Sequence, residues 1–243
     1  MPIGRTAKLR LYVATVLLLA GFALALWAHQ RRVTRDLLQT EPAVALASPG
    51  LLRHATRIAK PVYRQRCASC HGDLGKTPPT RGVADLRKRR LLYGRDPVDL
   101  ERTILYGIRS GHPKARNVTD MPGFVATAQL TADDDRDVVE YILSVAGQTY
   151  DEAAALRGRE VFFAKGNCFD CHGSDARGVA DYGTPSLTGP TWLFGGDRRS
   201  LYSSVANGHH GKCPAWIGVL APVQVRALML YLNSAPQIMA SAP

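Results

Sequence analysis

The sequence predicts an all-α protein: an N-terminal transmembrane helix followed by two tandem helical domains built to one plan. Three observations predict it. An uncharged run occupies residues 11–28. Beyond it, a set of landmarks recurs at an offset of 101 residues. Apolar residues fall at helical spacing, as at Val225, Leu228, Met229 and Leu232, and no alternating strand pattern of useful length occurs.

The apolar run spans about 27 Å as a helix, close to the thickness of a bilayer core. A cleaved signal peptide is the competing reading. However, the small-x-small site Ala23-Leu24-Ala25 lies inside the run, and Ala45-Leu46-Ala47 lies far beyond it. Trp27 stands at the end of the run, where an interfacial aromatic belongs. Residues 1–28 are therefore expected to be a retained anchor, and residues 29–50 a polar, then Ala/Pro-rich tether. Arg5, Lys8 and Arg10 flank one side of the run, and Arg31, Arg32 and Arg35 the other, so charge alone does not set orientation.

The repeat sets the domain organisation. Cys67-Ala68-Ser69-Cys70-His71-Gly72 matches Cys168-Phe169-Asp170-Cys171-His172-Gly173. Leu91-Leu92-Tyr93-Gly94-Arg95-Asp96 matches Trp192-Leu193-Phe194-Gly195-Gly196-Asp197, and Gly107 matches Gly208, all at the same offset. Met121-Pro122-Gly123-Phe124 then matches Cys213-Pro214-Ala215-Trp216 at an offset of 92, so the first copy carries about nine extra residues around 111–120. The copies span residues 51–147 and 151–236. Each is expected to have a helix leading into its cysteine string (52–66 and 152–164), a middle helix (98–108 and 198–206) and a terminal helix closing it. Thr131 with Asp134 resembles a capping box opening the first terminal helix, and 223–232 is its counterpart.

Apolar residues make up 46% and charged residues 21%, which fits globular protein and excludes disorder. Five cysteines are present, an odd number that a pure disulfide framework does not explain. Four fall in the two Cys-x-x-Cys-His strings, the signature of c-type haem attachment. Two thiols add across the vinyl groups of one porphyrin edge, and the adjacent histidine ligates iron. A redox dithiol does not need that histidine, and a zinc site needs further Cys or His at short spacing. Two covalently bound haem c groups are expected, through Cys67, Cys70, Cys168 and Cys171, with His71 and His172 as iron ligands. Their propionates offset part of the formal net charge of +11. That charge by itself favours acidic partners, an anionic membrane surface or nucleic acid; with two haem strings in the chain, redox proteins and the membrane are the expected partners and nucleic acid is not.

The sixth iron ligand sets the redox potential. Met121 is the candidate in the first copy. The repeat puts Cys213, the odd cysteine, at the same slot in the second. His209, His210, a distant Met or an open site are the alternatives there. Pro185 follows His172 by 13 residues, and Ala84 follows His71 by the same interval. A carbonyl there either accepts a hydrogen bond from the proximal histidine or marks a plain turn. His29, His54 and His112 are expected on the surface. The string Arg87-Lys88-Arg89-Arg90 is a solvated face or a dock for an acidic redox partner.

These landmarks resemble the dihaem cytochrome c subunit, subunit III, of cbb3-type cytochrome c oxidases, and tandem class I cytochrome c domains generally. Trp192 to Asp197 and Cys213-Pro-Ala-Trp look like that subunit's second haem domain. Tyr106-Gly107-Ile108-Arg109 and Met121-Pro-Gly-Phe look like its first. The likeness covers residues 51–236. It implies two cytochrome c-like domains in the periplasm, held on the cytoplasmic membrane by a single-pass anchor. It also implies electron transfer from a soluble cytochrome or a quinol-oxidising complex to an oxidase catalytic subunit. Cys213 departs from the family, whose second domain has Met at that place. A second reading follows from it: a dihaem redox enzyme with a His/Cys-ligated haem, such as one oxidising thiosulfate. No acid/base or nucleophile constellation stands out, so no catalytic residue is assigned and electron transfer is preferred.

Overall fold

The computed structural model describes residues 5–74, 78, 81–88, 91–118, 120–189 and 192–240. Arg89 and Arg90 of the basic string, and Thr119 of the inserted loop, lie outside these. The helices are α1 (Arg5–Gln39), α2 (Pro42–Ala47), α3 (Pro49–Arg66), α4 (Ala68–His71), α5 (Pro97–Tyr106), α6 (Ala132–Val145), α7 (Glu152–Glu160), α8 (Phe169–His172), α9 (Arg198–Asn207) and α10 (Pro222–Ala240). A π-turn, Val161–Lys165, continues α7. Among the described residues there are isolated bridges but no strand.

α1 is long and apolar enough to cross a membrane. Leu17, Leu18, Leu19, Phe22 and Leu24 stand exposed along it, as suits a helix whose solvent is lipid. The helix does not stop at the end of the apolar run. It continues through the expected tether to Gln39, and Leu37 is fully buried. α2 follows, with Glu41 accepting from Ala43 N, and Ala45 is also fully buried. The tether is thus packed structure. Its few apolar residues form a narrow stripe that the polar composition hides. Cleavage after Ala47 would strip Leu37 and Ala45 from the first core.

Two cores are present among the described residues. The first gathers Leu37, Ala45, Ala55, Ala59, Val62, Tyr63, Leu100 and residues 227–232. The second gathers Val138, Val139, Ile142, Leu143, Val161, Phe162, Leu201 and Val205. Neither is built from one repeat alone. α10, from the second repeat, packs on α3 and α5, while α6, from the first, packs on α7 and α9. The expectation that each terminal helix closes its own copy is corrected here: the two are exchanged. Link lengths give the reason. Only residues 146–151 separate α6 from α7, so the two fold back as an antiparallel hairpin. Residues 107–131 separate α5 from α6 and give ample length to cross over.

Polar contacts pin both exchanges. Glu140 of α6 takes a bidentate pair from Arg198 of α9, at 2.6 and 2.9 Å, and accepts from Asp151 N at 2.8 Å. In the other unit the Arg95 guanidinium donates to the carbonyls of Leu232, Leu86 and Lys88. Asn233 returns a bond to Arg95 O at 2.8 Å.

The loops ahead of the exchanged helices cross as well. Ile108 and Cys213 exchange backbone bonds of 2.9 Å, and His209 N donates to Met121 O at 2.9 Å. Gly107 and Gly208 make these crossings possible. Both have φ near +70°, and a Cβ on either would overlap the carbonyl oxygen of Cys213 or of Met121.

Two outcomes follow from this packing. Gly208→Ala should cost about 2–3 kcal/mol in denaturant unfolding, combining left-handed strain with overpacking. Gly50→Ala, with open space around it, should stay within about 0.5 kcal/mol. The second outcome concerns Asp135, buried on α6 with Oδ1 lacking a hydrogen-bond partner among the described residues. Burial pushes its carboxyl up to about 6. Between about pH 4 and 6 the unfolded chain has lost this proton and the folded chain keeps it, so stability falls as pH rises, by at most about 3 kcal/mol. Asp135→Asn should flatten that slope and leave the protein more stable than wild type at pH 7.

Candidate haem sites

Each cysteine string folds as a single helical turn, α4 or α8. His71 N donates to Cys67 O, and His172 N to Cys168 O, both at 2.9 Å. The turn sets both thiols and the histidine on one side of the chain. His71 Nδ1 donates to Ala84 O at 2.9 Å, and His172 Nδ1 to Pro185 O at 3.1 Å. Of the two readings open for residues 84 and 185, the hydrogen bond is the one present. A carbonyl only accepts, so Nδ1 carries the proton and Nε2 keeps its lone pair. Burial lowers the pKa of both histidines, against a smaller opposing effect of the same carbonyl bonds, and favours the neutral ring.

Burial pushes the thiols of Cys67 and Cys168 up to about 11. Cys67 packs against the first core and Cys168 against the second. Among the described residues no cluster of three or more His, Cys, Asp or Glu could hold a bare metal ion. Paired thiols beside one neutral imidazole, in an apolar setting, are the donor set of covalently bound haem c. Half-buried imidazoles with their Nδ1 protons already bonded fit that group.

The crossing loops decide which half each remaining candidate serves. Met121 packs against the second core, together with Cys168, Phe169 and Trp192. Phe124 N donates to Val205 O at 2.9 Å, so the loop from Met121 runs along the end of α9. Cys213 is held on Ile108, close enough to Cys67 and Cys70 for their charges to interact. Trp216 N donates to Ile104 O at 3.2 Å, and the Trp216 ring lies under Arg66 at 5.9 Å. Sequence order had Met121 with His71 and Cys213 with His172. Packing sets Met121 in the second unit and Cys213 in the first.

The alternative histidines are engaged elsewhere. The His209 ring stacks on Phe194 with centroids 3.4 Å apart and bonds Ser204 Oγ through Nε2 at 2.9 Å. His210 pairs with Asp120 at 3.1 Å. Of the histidines expected on the surface, His29 is exposed, His112 stacks on Tyr106, and His54 is buried, bonded to Thr34 and Arg57. His54 is a correction: it sits where α3 meets α1. Arg87 of the basic string closes on Asp85 at 2.7 Å.

Reciprocal contacts join the two halves. The Tyr93 ring lies against Gly183 and its repeat counterpart Phe194 against Gly82, so close that a Cβ on either glycine would overlap the ring. Gly82 N donates to Leu193 O at 3.0 Å. Arg116, in the inserted loop, is buried over Tyr93 and bonds Asp99 at 2.5 Å and Thr103 at 3.1 Å. Sequence reasoning passed over Arg116 as a loop residue. Tyr93 and Phe194 carried a signal, being aromatic at equivalent positions of both copies.

A family model described as cytochrome c oxidase, cbb3-type, subunit III matches residues 54–142 and 153–232. The chain is 32% identical over 201 residues to the cbb3-type cytochrome c oxidase subunit CcoP of Cereibacter sphaeroides, covering 83% of this chain and 68% of that protein. It is 35% identical over 215 residues to the subunit FixP of a Bradyrhizobium species, covering 85% and 71%. With two haem-attachment turns on a membrane helix and this match over both repeats, the chain belongs to the subunit III family of cbb3-type cytochrome c oxidases.

Proposed function

We infer that this chain is the membrane-anchored dihaem cytochrome c of a cbb3-type terminal oxidase, passing electrons from a redox protein outside the membrane to the oxidase catalytic subunit. The carrying observation is the pair of attachment turns, each with its half-buried proximal histidine held neutral and oriented by a backbone carbonyl. Single-pass anchorage in the cytoplasmic membrane by α1, with the haem domains periplasmic, goes with this reading.

The bound haems supply one-electron exchange between ferric and ferrous iron. Cys67 and Cys70 hold the first by thioether bonds, and Cys168 and Cys171 the second. His71 and His172 each offer Nε2 to iron. On this reading Met121 would serve the haem held at His172, and Cys213 the haem held at His71. The crossed packing of the two loops supports this pairing. The domains read along the chain, 51–147 and 151–236, each donate one terminal helix and one ligand to the other. A thioether is neutral and favours ferrous iron, whereas a thiolate is anionic and holds ferric iron. With those ligands the first haem would be the low-potential one and the second the high-potential carrier. Ala84 and Pro185 fix the tautomer and orientation of the two histidines.

Redox titration followed by EPR tests the ligands. Wild type should show one high-potential and one low-potential haem, and Cys213→Met should raise the low one. Two high-potential haems in wild type would remove Cys213 from the ligand set. The pairing has its own check. With Cys168→Ser and Cys171→Ser combined, the haem that remains should be the low-potential, thiolate-ligated one. A surviving Met-ligated haem would restore the pairing read along the sequence.

A further inference from the structure

Charge on this chain is concentrated. Residues 29–66 contain eight Lys and Arg against two acids, Asp36 and Glu41, a net +6 of the chain's +11. α3 contains no acid at all. Arg53, Arg57, Lys60 and Arg64 recur along it at spacings of four, three and four, which is one helix face, and all four are exposed. Elsewhere, cations close on carboxylates: Arg157 on Asp137, Arg198 on Glu140, Lys165 on Asp134, Arg116 on Asp99. Among the described residues, no carboxylate pairs with any of the four on α3.

The height of the first turns of this face above the membrane follows from α1. Thr34 Oγ1 lies 3.2 Å from the His54 ring, which fixes α3 beside α1 at that level. The apolar run ends at Ala28, so Thr34 lies about 9 Å beyond it along the helix. The headgroup layer outside the hydrocarbon is roughly 5–8 Å deep. Any tilt of α1 lowers Thr34 further. His54 thus sits at the outer edge of the headgroups, with Arg53 and Arg57 beside it. Arg31 and Arg32 fall within the layer, and Arg35 falls at its edge. So many cations on the non-cytoplasmic side oppose the usual loop-charge bias and call for a counter-charge.

We propose that the cationic face of α3, with Arg31, Arg32 and Arg35, docks on the acidic phospholipid headgroups of the leaflet from which α1 emerges. Guanidinium groups pair with lipid phosphates, and the first haem unit lies down on the membrane instead of swinging above it. Lipid phosphates lie at the height of the Arg53–Arg57 end of this face wherever α1 is inserted, whereas an acidic protein would have to reach down to it.

The test uses the full-length, haem-loaded protein in nanodiscs of phosphatidylcholine alone or mixed with phosphatidylglycerol. Amine acylation of Lys60 is followed by mass spectrometry, with Lys165 on the second unit as reference. Lys60 should react several-fold more slowly in the acidic discs while Lys165 is unchanged. Arg53→Glu, Arg57→Glu and Arg64→Glu combined should erase that difference with the haem absorption spectrum intact. Equal Lys60 labelling in both discs overturns the proposal. Protection that arises only when an acidic redox protein is added, in either disc, also overturns it and makes the face a protein dock.

Discussion

Every other feature of this molecule depends on the crossing between its halves. Each repeat gives away its last helix and the loop before it, so neither repeat contains a whole core. A cytochrome c unit of about 90 residues has little apolar surface to spare, and its haem forms much of its interior. Sharing the closing helices ties the two pockets into one folding problem. Loss of the Arg198–Glu140 pair or of the Arg95 clamp would loosen the unit that donates the helix as well as the one that receives it.

The crossing also fixes the haem sites relative to each other. The Tyr93–Gly183 and Phe194–Gly82 contacts are backbone-to-ring and leave no room for sliding. Cys213 and Met121 are carried on loops bridged to the opposite half, so the positions of these two candidate ligands and of the units are set by the same bonds. An electron-transfer chain needs constant distances more than it needs moving parts. The same economy extends to the anchor, because Leu37 joins the membrane helix to the first core.

Much of this was legible in the residues. The spacing from His71 to Ala84 and from His172 to Pro185 marked both carbonyls as candidates beside a plain-turn reading, and the Thr131–Asp134 box opens α6 where expected. The exchange was not legible in the repeat, for a physical reason. An offset tells which residues are equivalent, and equivalent residues sit in equivalent places whether or not the halves trade them. The discriminating signal was the link length. Residues 146–151 are too few to take the chain anywhere but back along α6. His54 was missed because a lone histidine between charged neighbours reads as surface until Thr34, twenty residues away, is brought beside it.

The exchange changes what the odd cysteine means. Taken along the sequence, Cys213 alters the second domain, the one that would follow the first in any linear relay. Taken in space, it lies with Cys67 and Cys70, in the unit attached to the membrane helix, and leaves the other unit with a methionine. An anionic ligand in an apolar pocket is costly unless the metal carries compensating charge, which ferric iron does better than ferrous. Burial already disfavours the free Cys213 thiolate, and no cation is among the groups that shift it. A ferric iron bound there would supply the counter-charge that the protein side chains do not. If Cys213 ligates iron as proposed, the unit beside the anchor would favour its oxidised form, and the unit built around Met121 would carry current at high potential.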